Sequence, residues 1–138
     1  MTVLDVSAHA LRRAQERIGE AAESVRWIAS DVTGDWHVAP VDVWHDRAVF
    51  HFLTEPEDRT TYIRKIVETV KPSGHVIIGT FADDGPERCS GLPVQRYSPE
   101  QLADVFSDVA SMAEWRRHTH LTPSGRAQPF TFVLLRVR

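Results

Sequence analysis

The run His75–Phe81 (HVIIGTF) is almost continuously apolar, the composition of a strand buried on both faces. Such a strand needs helices above and below its sheet, which commits the chain to an α/β architecture. The neighbouring segments fit. Val41–Phe52 begins as a strand, and its tail HDRAVFHF leaves the sheet as a loop or helical turn. Thr54 and Glu57 then form a capping box, followed by Tyr62, Ile63, Ile66, Val67 and Val70 at helical spacing, with Lys71-Pro72-Ser73-Gly74 ending the helix. Upstream, Thr2–Val6 and Val25–Ala29 read as strands. Between them Ser7 caps a helix carrying Leu11, Ala14 and Ile18 on one face, and Gly19 ends it.

Downstream, Ala82–Tyr97 is rich in Gly, Pro and charge and reads as a functional lid. Ser98-Pro99-Glu100-Gln101 opens a helix through about Phe106, with an N-cap, a first-turn proline and a glutamine closing the capping box. Met112–Leu121 and Gln128–Val137, joined at Pro123-Ser124-Gly125, predict an antiparallel hairpin. Alternating strands and helices that finish in a hairpin predict a mostly parallel sheet with an antiparallel end.

With 138 residues, 42% of them hydrophobic, the chain is expected to form a single domain over 1–138. Cys89 is the only cysteine, so no intramolecular disulfide forms and a reducing, cytoplasmic compartment is expected. No apolar run approaches membrane-spanning length, and a formal charge of −3 without a basic stripe argues against nucleic acid as a partner.

Candidate site residues cluster after strands. Asp46, Arg47 and His51 follow a strand's carboxyl end, where open α/β sheets bind ligands. Asp46 and Arg47 can equally form an ion pair that fixes the loop. His51 is the candidate for orienting substrate or acting as general base, because imidazole titrates near neutral pH. Trp44 and Phe50 either wall a pocket or belong to the core. Cys89, with Arg88 and Arg96 close in sequence, is a substrate-packing or buried thiol rather than half of a CxxC metal pair. His118 and His120 share a face if they lie on a strand, lining a substrate pocket or, with Cys89, offering metal ligands.

In this order and spacing the segments resemble class I S-adenosylmethionine-dependent methyltransferases. VLDVSAHALRRAQERIG is similar to that family's second strand and helix, VRWIASDVT to its third strand and loop, and VDVWHDRAVFHFL to its fourth strand and the motif at the transfer site. VKPSGHVIIGTF resembles the family's "lkpGG" turn and fifth strand, with Ser73 where many members carry the first glycine. DRAVFHFL, GPERCSGLPVQRYS and HTHLTPSG resemble a bacterial small-molecule subgroup. The resemblance implies a Rossmann-like methyltransferase sheet with S-adenosylmethionine as cofactor. It places the ribose on Asp5, the adenine on Asp31 and Val32, and further cofactor contacts on Val6 and Asp46. His51, Asp46 and Arg47 become the catalytic group, and Trp44, Phe50, Cys89, Arg96, His118 and His120 the substrate contacts. On the residues alone, Asp5 can simply stabilise the next helix and Asp31 a turn.

By the same comparison the chain opens at the family's second strand, and none of its seven glycines forms a GxG pair. The first strand, its glycine-rich loop and a helix are therefore expected to be missing. A direct pairing of the Val3 strand with the Val43 strand would close the sheet, and burial of the remaining apolar surface predicts a homodimer or higher homo-oligomer. The expected activity is methyl transfer to a heteroatom of a small-molecule acceptor. The alternative is a non-catalytic remnant of the fold that serves as an oligomeric cofactor- or nucleoside-binding module.

Overall fold

The structure is a computed structural model describing all residues, Met1–Arg138, and its chain divides into two compact units, Met1–Ala39 and Pro40–Arg138. In the first unit, β1 (Thr2–Asp5), α1 (Ala8–Ile18), a 3-10 turn (Gly19–Ser24) and β2 (Arg26–Ala29) form a βαβ unit. Its two strands run parallel, with Thr2 opposite Arg26 and Asp5 opposite Ala29. α1 starts where expected, the Ser7 side chain accepting from the Ala10 amide at 3.1 Å. It ends at Gly19, whose φ of 63° is open to glycine at no steric cost. Of the predicted apolar face, Leu11 is buried, Ala14 half-buried and Ile18 exposed.

The second unit contains β3 (Val41–Arg47), α2 (Pro56–Thr69), β4 (Val70–Phe81), the two-residue strands β5 (Arg88–Cys89) and β6 (Leu92–Pro93), α3 (Pro99–Val105), β7 (Ala110–Leu121) and β8 (Ala127–Val137). Four strands lie in the order β3-β4-β8-β7. β3 and β4 are parallel, and β8 is antiparallel to both β4 and β7. The terminal antiparallel hairpin is thus present, but the four-stranded sheet is mixed rather than mostly parallel, with one parallel and two antiparallel pairings. The direct pairing expected between the Val3 and Val43 strands is not formed: β1 bonds only β2, and β3 bonds only β4. β1 finds its partner locally, through one helix, and short loops close at lower entropic cost than long ones.

Period-two alternation buries Val76 and Ile78 of β4 with Val133 and Leu135 of β8, in a core shared with Tyr62, Ile66, Leu102 and Phe106. On the opposite face Gly79 faces Phe132, whose ring lies so close that a Cβ at Gly79 would meet it at 2.3 Å. Ser98 and Gln101 close the capping box of α3 as predicted. The start of α2 differs from the expected Thr54 and Glu57 box. Glu55 is the N-cap, in extended backbone and without a side-chain cap bond, and Pro56 begins the helix. Proline's fixed φ organises a first turn and forces the residue before it out of the helical region, which moves the boundary by one residue. Lys71–Gly74, expected as a terminator, lies within β4, because α2 already stops at Thr69.

Ser73 is left-handed, with φ 66°, at the position where the resembled family carries glycine. A side chain is disfavoured there by roughly 1–2 kcal/mol, partly offset by glycine's larger unfolded-state entropy. Ser73→Gly is therefore expected to raise stability by about 0.5–1 kcal/mol, read from the urea midpoint at unchanged slope. An unchanged midpoint would mean that the serine makes up the difference elsewhere.

Candidate functional site

Asp5 ends β1, and Asp31 follows β2 by two residues. Because β1 and β2 are parallel and in register, and the Ser30 amide donates to the Asp5 carbonyl at 3.0 Å, both carboxylates stand at the same strand end. Each uses Oδ1 locally. Asp5 Oδ1 accepts from the Ser7 amide at 2.7 Å, and Asp31 Oδ1 accepts from the Thr33 amide and hydroxyl at 2.8 and 2.7 Å. Their Oδ2 atoms enter none of these bonds. The turn-forming and ligand readings of these residues are therefore compatible, one oxygen serving each. Val6 is exposed, whereas Val32 is buried and its carbonyl accepts the Trp36 indole N–H at 2.8 Å.

In the second unit the carboxyl end of β3 is organised by Asp46. Its Oδ1 accepts from the Val49 amide at 2.9 Å, and its Oδ2 accepts from the Phe50 amide at 3.0 Å and the Tyr62 hydroxyl at 2.5 Å. Tyr62 Oη in turn accepts from the Trp44 indole N–H at 3.1 Å. Burial pushes the Asp46 carboxyl above its usual 3.8, against the pull of Tyr62 and the two amides toward the ionised form. The Tyr62 hydroxyl is held well above its ordinary value by burial first and then by the Asp46 charge. Two expectations change as a result. Asp46 does not pair with Arg47 but spends its carboxylate inside the protein, holding the turn, and Trp44 is tied to the same network. Of the two readings for Phe50, pocket wall or core, the structure has the core: it is fully buried against Tyr62, Tyr97 and Phe106.

Arg47 is exposed at the end of β3 and stacks over Phe130, its Cζ 5.4 Å from the ring centroid. Ala48 takes φ 62° and donates to the Gly79 carbonyl at 2.8 Å, turning the chain sharply toward the 3-10 turn Phe50–Phe52. His51, in that turn, has no exposed surface. Its Nδ1 accepts from the Phe81 amide at 3.1 Å, and its Nε2 has no partner. Burial lowers its pKa from 6.5 to about 4. At neutral pH the ring is uncharged and its basic nitrogen is occupied, so the geometry favours an orienting role over that of a base.

The segment Ala82–Tyr97, read as a lid, carries the short β5–β6 hairpin. Cys89 and Leu92 pair across a tight turn in which Ser90 and Gly91 have positive φ, of 51° and 78°. Gln95 donates to the His51 carbonyl at 2.7 Å, and Tyr97 donates to the Phe81 carbonyl at 3.1 Å. Arg96, expected to contact substrate, donates to the Gly85 carbonyl at 3.0 Å and lies 3.6 Å from Glu87, bracing the lid itself. His118 is exposed and His120 half-buried, both near the end of edge strand β7. No group of three or more His, Cys, Asp or Glu side chains could hold a metal ion, so His118, His120 and Cys89 are not gathered into a metal site.

Sequence reasoning did not single out Tyr62 beyond its helical spacing, nor the Phe81 amide. The signal for Asp46 was local: an aspartate ahead of a short helical turn caps its amides, as Asp46 does at Val49 and Phe50. Nothing local marks Tyr62 as the third donor.

A family model described as a methyltransferase domain matches residues 1–78, more than half of the chain. The chain belongs to this methyltransferase family. Among curated proteins, Nodulation protein S of Rhizobium fredii is 28% identical over 83 residues, which cover 60% of this chain and 47% of that protein. The chain thus spans about half the length of this curated relative. Among solved structures, N-methyltransferase NodS from Bradyrhizobium japonicum WM9 in complex with S-adenosyl-L-homocysteine has a TM-score of 0.75 at 19% identity, covering 99% of this chain and 65% of that one. The Burkholderia thailandensis 1,6-didemethyltoxoflavin-N1-methyltransferase, with bound 1,6-didemethyltoxoflavin and S-adenosylhomocysteine, has a TM-score of 0.73 at 21% identity, covering 99% and 60%. These likenesses establish the Rossmann-like methyltransferase fold for this member of the family. No helix is long and apolar enough to cross a membrane.

Proposed function

We propose that this chain takes part in methyl transfer from S-adenosylmethionine to a heteroatom of a small molecule. The observation that carries the reading is the placement of Asp5 and Asp31 at one end of a parallel strand pair, in a region matched by the methyltransferase family. The donor chemistry fits the cofactor: a carboxylate oxygen left over after local bonding accepts from ribose hydroxyls at Asp5 or from the adenine edge at Asp31. When bound, the cofactor supplies an already activated methyl group. The residues then hold and align rather than activate, and proximity and orientation can lower a barrier by about 7–11 kcal/mol. The likeness to methyltransferase structures that hold S-adenosylhomocysteine, one of them together with 1,6-didemethyltoxoflavin, supports the same reading.

Asp5→Asn keeps an oxygen for the Ser7 amide and removes the charge. It is expected to weaken S-adenosylhomocysteine binding about tenfold, the worth of one charge-assisted hydrogen bond. Calorimetric titration of both proteins reads this, and equal affinities would remove Asp5 from the site. Methylated product from a panel of amine, hydroxyl and thiol acceptors supports the enzyme. Binding without any product supports the non-catalytic binding module instead.

A further inference from the structure

β7 lies at one edge of the four-stranded sheet and bonds β8 alone, and residues 111–119 within it are all exposed. Its large apolar side chains are not withdrawn, Trp115 being 48% and Met112 37% exposed. The Thr122 amide donates to the Arg126 carbonyl at 2.9 Å. Counting back by twos from that pair turns the backbone of Glu114, Arg116 and His118 toward β8. Trp115 and Arg117 therefore present their N–H and C=O groups to the open edge, where a strand of another chain can take them. Natural edges are blunted by shortness, lysine, proline or a bulge. β7 runs for 12 residues without lysine or proline, and its one register shift falls between Met112 and Glu114, ahead of the straight part. Charges also blunt an edge, provided that they repel the incoming strand; those of β7 do so in some registers and attract in one.

A twofold antiparallel pairing sets one residue against itself and its neighbours crosswise. Opposite charges and aromatic rings directly opposed across two strands attract, and like charges there repel. Centred on Glu114, Arg116 or Arg117, two β7 strands oppose like charges. Centred on His118, they set imidazole on imidazole and Arg116 beside His120. Centred on Trp115, they set indole on indole and Glu114 opposite Arg116 twice over. In that register Arg117, already held by Asp83 and Asp84, falls opposite Ala113 and meets no charge. The outward backbone of Trp115 lets the central pair exchange both N–H···O bonds. Within one chain Glu114 Oε1 lies 2.8 Å from Arg116 Nη2, so the pairing joins two ion pairs into one network of alternating charge. We infer that β7 is a self-pairing edge, and that two copies of this chain join antiparallel about Trp115 into one continuous sheet. The inference uses the second unit alone and is independent of methyl transfer.

Sedimentation equilibrium of the full chain at low salt tests this, and the wild type is expected to form a reversible dimer. Glu114→Arg sets arginine against arginine, and Arg116→Glu sets glutamate against glutamate. Each is expected to weaken the dimer by about tenfold or more. The chain carrying both substitutions regains the opposite-charge pairs, and its dimer is expected to return. The register is read separately, in a Cys89→Ser background, by oxidising single-cysteine variants. Trp115→Cys is expected to crosslink, because opposed residues of such a pair stand about 5.5 Å apart at Cα, within reach of a disulfide. Thr119→Cys, eight residues from its counterpart in the other copy, is expected to stay uncrosslinked. A wild type that remains monomeric at on the order of 1 mM overturns the inference. So does a dimer that neither charge reversal weakens, which forms through another surface. Crosslinking through Thr119→Cys in place of Trp115→Cys overturns it as well.

Discussion

Asp46→Ala is expected to lower the free energy of unfolding by about 3–5 kcal/mol, the usual loss when one partner of a buried, hydrogen-bonded ionic group is removed. The carboxylate is 6% exposed and satisfies three donors, the Val49 and Phe50 amides and the Tyr62 hydroxyl. Alanine leaves the two amides without their acceptor, at about 1–3 kcal/mol for each buried donor left unmade. Tyr62→Phe removes one of those donors together with the acceptor of the Trp44 indole N–H. Its expected loss is about 2 kcal/mol, that of one hydrogen bond to a charged group. The two substitutions share the network, so the double variant should lose less than their sum. Urea unfolding of the four proteins measures this, and strict additivity would show that Tyr62 and Asp46 act separately. The pH dependence adds a sign. A carboxyl whose folded pKa lies above 3.8 contributes stability that is fully present below 3.8 and lost as pH rises through the folded value. At neutral pH the buried charge is thus maintained by its donors, against its desolvation.

His51 carries the second large effect, with the opposite sign. Its pKa falls from 6.5 to about 4 on folding, so its contribution is fully present above pH 6.5 and is lost as pH falls toward 4. The shift corresponds to about 3 kcal/mol. Wild type and His51→Asn should therefore run parallel in stability above pH 6.5. Between pH 6.5 and 4 the wild type should lose about 3 kcal/mol more than the variant, because asparagine has no proton to take up. The difference between the two curves isolates His51 from Asp46 and the surface carboxylates, which both proteins share. Curves that stay parallel down to pH 4 would mean that the ring already titrates near its ordinary value.

Features set by neighbouring residues were legible in the sequence. Ser98 and Gln101 cap α3 through bonds spanning three residues, and the strand, helix and strand read over Thr2–Ala29 are present as β1, α1 and β2. Features set across the chain were not legible. Asp46 meets Tyr62 across 16 residues and His51 meets the Phe81 amide across 30. No residue pattern announces such a pair, because tertiary packing alone decides which side chain reaches it. The same cause gives residues read as ligand contacts partners inside the protein. Phe50 has the chemistry of a pocket wall, yet the fold uses it for the core, while Trp44 and Arg96 also make bonds within the protein, to Tyr62 and to the Gly85 carbonyl. The start of α2 was missed for a local reason, since the constraint that Pro56 places on Glu55 outranks a capping box one residue earlier.

The most direct measurement is an amide chemical-shift map of the protein with S-adenosylhomocysteine. If the carboxylates of β1 and of the loop after β2 hold the nucleoside, the largest changes fall on Val6, Ser7, Val32 and Thr33. Changes absent from those four amides and confined to β7 or the lid would contradict it.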